Sequence, residues 1–446
     1  MLTVTLSGLR PPNCEIGSSL CPTPSGIQYA VVFTALALGS IGIGGTRFTL
    51  ATLGASQFSK LKHQSSYFNW YIFTLYVSGV ICSTAIVYVE DNLSFGWGFG
   101  ICIAANVLGL VVFLFGSKYY YRDKPQGSPF TSLLRVAVAS VRKRKEVMSS
   151  KSEDYYYGDD HGVIQGKMTE APTKSFRFLN RAALKTEGEI LTNGRTITKP
   201  WKLCSVEQVE DLKTLLRILP LWSTGILLFT PIGVQVSLTI LQSLTTDRHL
   251  ARRFQVPAGS MLVFALISTA ISLSLFDHCL WPLWKKISGR TSPTPIQQIG
   301  IGHVINIASM AVSALVESKR RSHVMPVSVL WLVPQMVIGG VGEAFHFPGQ
   351  VALFYQEFPI SLKGMATGMM ALILAIAAYL STAVIDFVRR VTDWLPDDIN
   401  DGRLDNVYWV LVVIGVLNFG YFIVCSWFYE CKNVQVVEGG HSVSDE

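Results

Sequence analysis

The chain has 446 residues, of which half are hydrophobic and only 15% charged, with a formal net charge of +7. A mean hydropathy of +0.38 exceeds what soluble cores absorb, so the apolar surplus calls for lipid and excludes a purely soluble protein. The cations are not interleaved with aromatics as in a nucleic-acid groove, so no nucleic-acid partner is expected. The eight cysteines form no C-x-x-C pair, which excludes a zinc ribbon or a disulfide scaffold.

Apolar runs of spanning length, about 20 residues each, occur in two blocks. The first holds 26–58, 68–89 and 97–116; the second holds 215–244, 256–284, 296–316, 324–355, 364–388 and 407–428. The fold class expected is therefore an all-α polytopic membrane protein of about nine transmembrane helices. Its parts are a partial N-terminal bundle of three (1–117), a basic linker (118–212), a C-terminal bundle of six (213–430) and a tail (431–446). The linker runs VRKRKE and SSKSEDYYYGDDHG are charged and Tyr-rich, and are expected to stay flexible rather than pack. Its ends, PFTSLLRVAVASVRKRK and SVEQVEDLKTLLRIL, have helical periodicity suited to a membrane surface.

Lys and Arg crowd the linker, which places it and the tail in the cytosol. Alternation then puts Met1, the acidic turn at Glu90 and Asp91, and Asp398 outside. The run from Glu317 to Arg321, with three cations, falls outside against that trend.

Glu343 lies mid-span in VIGGVGEAFHFPGQVALFY, where a carboxylate costs several kcal/mol (~3) unless protonated, paired or wet. Arg47 follows Gly39, Gly42, Gly44 and Gly45, whose spacing reads as close helix packing. A guanidinium fork matches a planar oxyanion; alternatively Arg47 snorkels to headgroups. A pair between Arg47 and Glu343 would join the two blocks and could open when an anion competes for the arginine. His346 lies three residues beyond Glu343 on the same helix face, and as a lone histidine among aromatics it reads first as packing. Pro348 and Gly349 mark a kink that could serve gating. Asn69, Gln235 and Gln350 are polar groups within spans that either line a cavity or bond between helices. Tyr71, Tyr76 and Tyr355 read as packing or interface aromatics. Neither a G-x-S-x-G elbow nor a His-x-x-His set lies within a span, so no enzyme is expected.

An ordered series of motifs carries a resemblance. It includes Phe68-Asn69-Trp70, Val87-Tyr88-Val89, Gly98-Phe99-Gly100, Leu219-Pro220-Leu221-Trp222 and Val256-Pro257-Ala258-Gly259-Ser260. It continues through Phe276-Asp277, the run from Gln298 to Gly302, Val333-Pro334-Gln335, Glu343-Ala344-Phe345, Gly349-Gln350 and Phe354-Tyr355. In these the chain resembles the plant nitrate/peptide transporter family, the proton-coupled oligopeptide branch of the major facilitator superfamily. The run from Gly44 to Thr52 resembles the nitrate excretion subgroup. The resemblance implies a major facilitator fold and a secondary transporter of nitrate or a related small anion. It implies proton coupling, with the proton gradient as driving force and no cofactor, alternating access and nitrate efflux at the plasma membrane. Arg47 and Glu343 are the substrate and proton-coupling candidates.

The departures are specific. The family's Glu-x-x-Glu-Arg signature is absent, and register places Met1 near the end of the family's third helix, so three helices of the family pattern are expected to be missing. The stretch Thr230-Pro231-Ile232-Gly233-Val234-Gln235 lacks the histidine that contacts nitrate in some members. Two alternatives stay open: another cargo (chloride, a hormone or a glycosylated metabolite), or a non-transporting isoform that associates with a full-length homologue.

Overall fold

The computed structural model describes residues 26–58, 61–121, 128–149, 151–158, 172–186, 201–251, 254–289, 293–323, 327–358, 363–396 and 398–441. It is helical throughout, save for one short antiparallel ribbon. The first block gives α1 (Gly26–Ser56) and α2 (Leu61–Ile81), which runs through a π turn at Cys82–Ile86 into α3 (Val87–Asn92), then α4 (Phe95–Gly116). The linker contributes α5 (Pro129–Arg142). The second block gives α6 (Val206–Leu244), the ribbon of β1 (His249–Ala251) and β2 (Phe254–Gln255), and α7 (Leu262–Leu275), which a π turn at Phe276–Leu280 joins to α8 (Trp281–Ser288). The chain ends in α9 (Pro295–Ser322), α10 (Val333–Glu357), α11 (Lys363–Val391) and α12 (Leu404–His441).

Eight of the described helical stretches are long and apolar enough to cross a membrane. The ninth expected span is the 25-residue α10, about 37 Å long at 1.5 Å per residue, which carries Glu343. Local chemistry sets several ends. Ser94 accepts from the Trp97 amide at the start of α4. Thr294 and Gln297 form a capping box ahead of Pro295 at the start of α9. Gly289, at φ 73°, stops α8 in the left-handed conformation that a glycine enters without strain.

The chain divides into two compact units. One comprises Met1–Arg122, Ile226–Gln350 and Ala371–Gly420; the other comprises Asp123–Gly225, Val351–Met370 and Tyr421–Glu446. In the first unit, α10 is packed on two sides through glycine. A methyl group on Gly302 of α9 would meet the His346 Cβ at 2.7 Å and the Gly342 carbonyl oxygen at 2.9 Å. One on Gly340 would come within 2.4 Å of the Ala265 carbonyl oxygen on α7. Small residues let backbones approach this closely, and in lipid such packing replaces the hydrophobic drive. Gly340→Ala is therefore expected to destabilise by about 1–3 kcal/mol through overpacking, read as an earlier thermal melt in detergent. Gly44→Ala is its control, because a methyl there meets nothing within 4 Å.

That control is also a correction. The glycines of α1 were expected to seat a neighbouring helix, yet Gly39, Gly42, Gly44 and Gly45 all face open space. Spacing alone cannot supply the partner surface, and α1 is exposed along its apolar length.

In the second unit the linker corrects another expectation. The Tyr-rich run packs: Tyr155, Leu179, Ala182, Ala183, Leu184 and Cys204 form a buried core with Val136 and Ala139 of α5 and Val206 and Val209 of α6. Tyr156 donates its amide to Ala183 O (2.8 Å), and the Val206 amide donates to Tyr156 O (2.9 Å), which ties the segment down by backbone bonds. One of the cations that argued for disorder, Lys143, is absorbed by its own geometry, as is Lys213 on α6. Lys143 and Lys213 bury their stems and donate to the carbonyls of Leu184 (2.7 Å) and Thr173 (2.8 Å). Glu210, 2.6 Å from the Lys213 ammonium, supplies its counter-charge. Burial pushes the Cys204 thiol up to about 11.

Candidate functional site

Three faces of α10 meet three different environments. Gly339, Gly342 and Gly349 lie against α9: methyl groups there would meet Ser309, Asn306, and Gln298 with the Pro295 carbonyl, respectively. Gly340 faces α7. Glu343 and Phe347, one turn apart, face the cluster formed by Ile72 and Tyr76 of α2 and Ala270 of α7.

On that third face the Tyr76 hydroxyl donates to Glu343 Oε2 at 3.4 Å. An O–H···O bond is usually 2.5–3.0 Å (about 2.7 Å), so this one is long. A carboxylate offers roughly four acceptor positions, and among the described residues this hydroxyl is the hydrogen-bond partner of Glu343. The group is partly buried, keeps open acceptor capacity and is not locked in an ion pair among the described residues. Such a carboxylate can take up and release a proton without dismantling the fold. Tyr76, read from the sequence as packing, is thus also the donor; a tyrosine on α2 gives no linear sign of a partner 267 residues away.

The side chains of Arg47 and Asn69 lie outside the described residues, so the expected pair between Arg47 and Glu343 stays a proposal. Pro348 sits inside α10, which runs on through it. Gly349 has a packing reason beyond a kink, since it lets α10 approach the start of α9.

His346 and Glu343 share a helix but not an environment. His346 is buried, its Nε2 is 3.0 Å from Gln350 Oε1, and its ring lies 5.4 Å from both Phe229 and His303. Gln350 is equally buried, so this pair is interior rather than cavity surface. His303 is a residue that the sequence reading passed over. The sign was weak: a histidine in an apolar helix, 43 residues before its neighbour in the chain.

Gln235 resolves to the inter-helix alternative. Its amide donates to Ser309 and Ser313 of α9, each at 2.8 Å, while buried at 3% exposure. Gln235→Leu is expected to lower stability by about 1–3 kcal/mol, the cost of disrupted buried hydrogen bonds. A thermal melt of the purified protein in detergent checks this.

A larger polar network in the same unit was also missed. Tyr408 of α12 donates to Gln242 Oε1 (2.8 Å), and Gln242 of α6 donates to Glu317 Oε2 (2.6 Å). Arg320 clasps both Glu317 oxygens at 2.8 Å and reaches Asn400 at 2.7 Å. Gln335 of α10 joins through Thr239 (3.0 Å) and Gln242 (3.5 Å). The flanking cations are held too: Lys319 lies over the Trp331 ring at 3.5 Å, and Arg321 pairs with Asp405 at 3.1 Å. The run that broke the charge trend is therefore built into the fold. The legible sign was Glu317 and Arg320 at i and i+3.

The described residues form a multi-pass helical bundle whose helices pack through glycine, with Glu343 held by one long hydrogen bond within a span. Among solved structures it is similar to the POT family transporter PepTSo, with a TM-score of 0.60 at 15% identity over 92% of this chain and 80% of that one. The chain belongs to the POT family, whose model matches residues 3–400. It is 52% identical to the Arabidopsis thaliana protein NRT1/PTR FAMILY 2.6 over 445 residues, 97% of this chain and 78% of that protein. It is 35% identical to NRT1/PTR FAMILY 6.2 of the same plant, over 99% of this chain and 79% of that protein.

Proposed function

We propose that this transporter moves nitrate or a related small anion together with protons, by alternating access, and that it releases nitrate across the plasma membrane. The observation that supports this most is Glu343: a mid-span carboxylate bonded through one long contact to Tyr76, with acceptor capacity to spare. A fixed anion at that depth would repel a second anion and resist reorientation. Taking up a proton removes both obstacles, so the proton and the anion favour the same occupied state. Arg47 supplies the guanidinium that the anion would engage, in competition with Glu343.

The resemblance of the run from Gly44 to Thr52 to the nitrate excretion subgroup supports the cargo and the direction. The test is counterflow in proteoliposomes: vesicles loaded with nitrate and bathed in trace nitrate, with chloride, glucosinolate-type anions or dipeptides offered as competitors. Nitrate competing best supports the assignment. Dipeptide or chloride competing better, at equal concentration, overturns it.

A further inference from the structure

We infer that the outer stripe of α5 docks onto the anionic-lipid leaflet of the bilayer that the protein spans. The helix has two apolar faces. Val136 and Ala139 are fully buried in the linker core. Phe130, Leu134 and Val141 are each more than half exposed, and at 3.6 residues per turn they fall within an arc of about 40°. Among the described residues that apolar arc is left exposed.

Three features favour a lipid surface over a soluble partner. The core beneath α5 includes Leu212 and Leu216 of α6, so α5 is fixed beside the point, near residue 215, where that helix becomes apolar enough to enter lipid. Cations flank the stripe: Arg142, Arg144 and Lys145 are exposed, and they follow it without an intervening acid. Trp201, partly exposed, lies against the flank of α5 about a quarter turn from the stripe, with the Arg135 guanidinium 5.8 Å from its ring centre and its carbonyl accepting from Arg142 at 3.1 Å. A tryptophan framed by arginines on the flank of a helix with a narrow apolar stripe fits the headgroup layer. There the ring and the stripe enter the acyl boundary while the cations meet phosphate and serine carboxylate. This docking depends on the chain spanning a membrane and is independent of the cargo.

The test places a dansyl-bearing amino acid at position 134 of the full chain, in nanodiscs holding one protein each. A second probe at Lys151, which is exposed and lies outside α5, is the aqueous reference. Discs of phosphatidylcholine are compared with discs containing phosphatidylserine. The expected result is a blue shift at position 134 in the serine-lipid discs. High salt and the surface variant Arg144→Glu/Lys145→Glu should each diminish it, and the Lys151 probe should not move. Water-like emission at position 134 in both lipids overturns the proposal. So does an equal blue shift in both lipids that ignores salt and charge reversal, which would be burial without recognition of anionic lipid. A parallel set of discs holding two copies is measured too, and a shift seen only there would overturn the proposal by assigning the stripe to a second chain.

Discussion

Glu343→Gln is expected to make anion flux insensitive to pH while leaving the protein folded. Glutamine keeps an oxygen for the Tyr76 hydroxyl and nearly the same volume, so packing around Ile72, Ala270 and Phe347 persists. It cannot bind a proton. Each pH unit of gradient is worth about 1.4 kcal/mol, or roughly tenfold in accumulation, to a carrier that moves one proton per turnover. The variant should lose that whole factor, as measured by nitrate uptake into proteoliposomes with and without an imposed pH gradient. Exchange at equal pH on both sides should survive, because exchange needs reorientation of the loaded carrier and no net proton movement. Tyr76→Phe separates the titrating group from its donor: it removes one long hydrogen bond and leaves the carboxylate, so flux should still respond to pH. Uptake by Glu343→Gln that follows the gradient as steeply as the native chain would eliminate Glu343 as the proton carrier.

Arg320→Ala is expected to be the most damaging single change outside that site. Arg320 neutralises Glu317, which is fully buried, and satisfies both of its oxygens. Removing one partner of such a pair leaves an uncompensated buried charge, at a cost of about 3–5 kcal/mol. The damage should spread, because Gln242 holds Glu317 on one side and Tyr408 on the other, so four helices share the network. The combined variant Glu317→Leu/Arg320→Met should melt later than Arg320→Ala alone, since it removes both charges and keeps the volume. Melting curves in detergent for the three proteins decide this. Equal curves for Arg320→Ala and the native chain would mean the pair contributes nothing.

Hydropathy fixed the membrane class and the position of every helical span, because a run of apolar residues cannot avoid lipid and each backbone must then bond within its own helix. Several ends were equally local: Ser94, the pair Thr294 and Gln297, and Gly289 act within one turn of themselves. Glu343 stood out for the same reason, as a charge measured against its immediate neighbours in the chain. What the sequence could not rank was partnership. The glycines of α1 and α10 look alike as letters, yet Gly39, Gly42, Gly44 and Gly45 of α1 face open space while Gly340 and Gly342 of α10 leave no room for a methyl group. The Tyr-rich part of the linker looked unable to pack, yet it forms a buried core in which Lys143 finds a carbonyl for its ammonium group. His346 was placed beside Glu343 by helical spacing, whereas in the fold it turns to Gln350, His303 and Phe229. Hydropathy is a sum over neighbours along the chain, while a hydrogen bond or a close contact depends on which helix arrives from elsewhere. The spans and the suspect carboxylate therefore belong to the sequence. Tyr76 as the donor to Glu343, and the network around Glu317, belong to the tertiary structure, because only packing brings together groups that lie far apart in the chain.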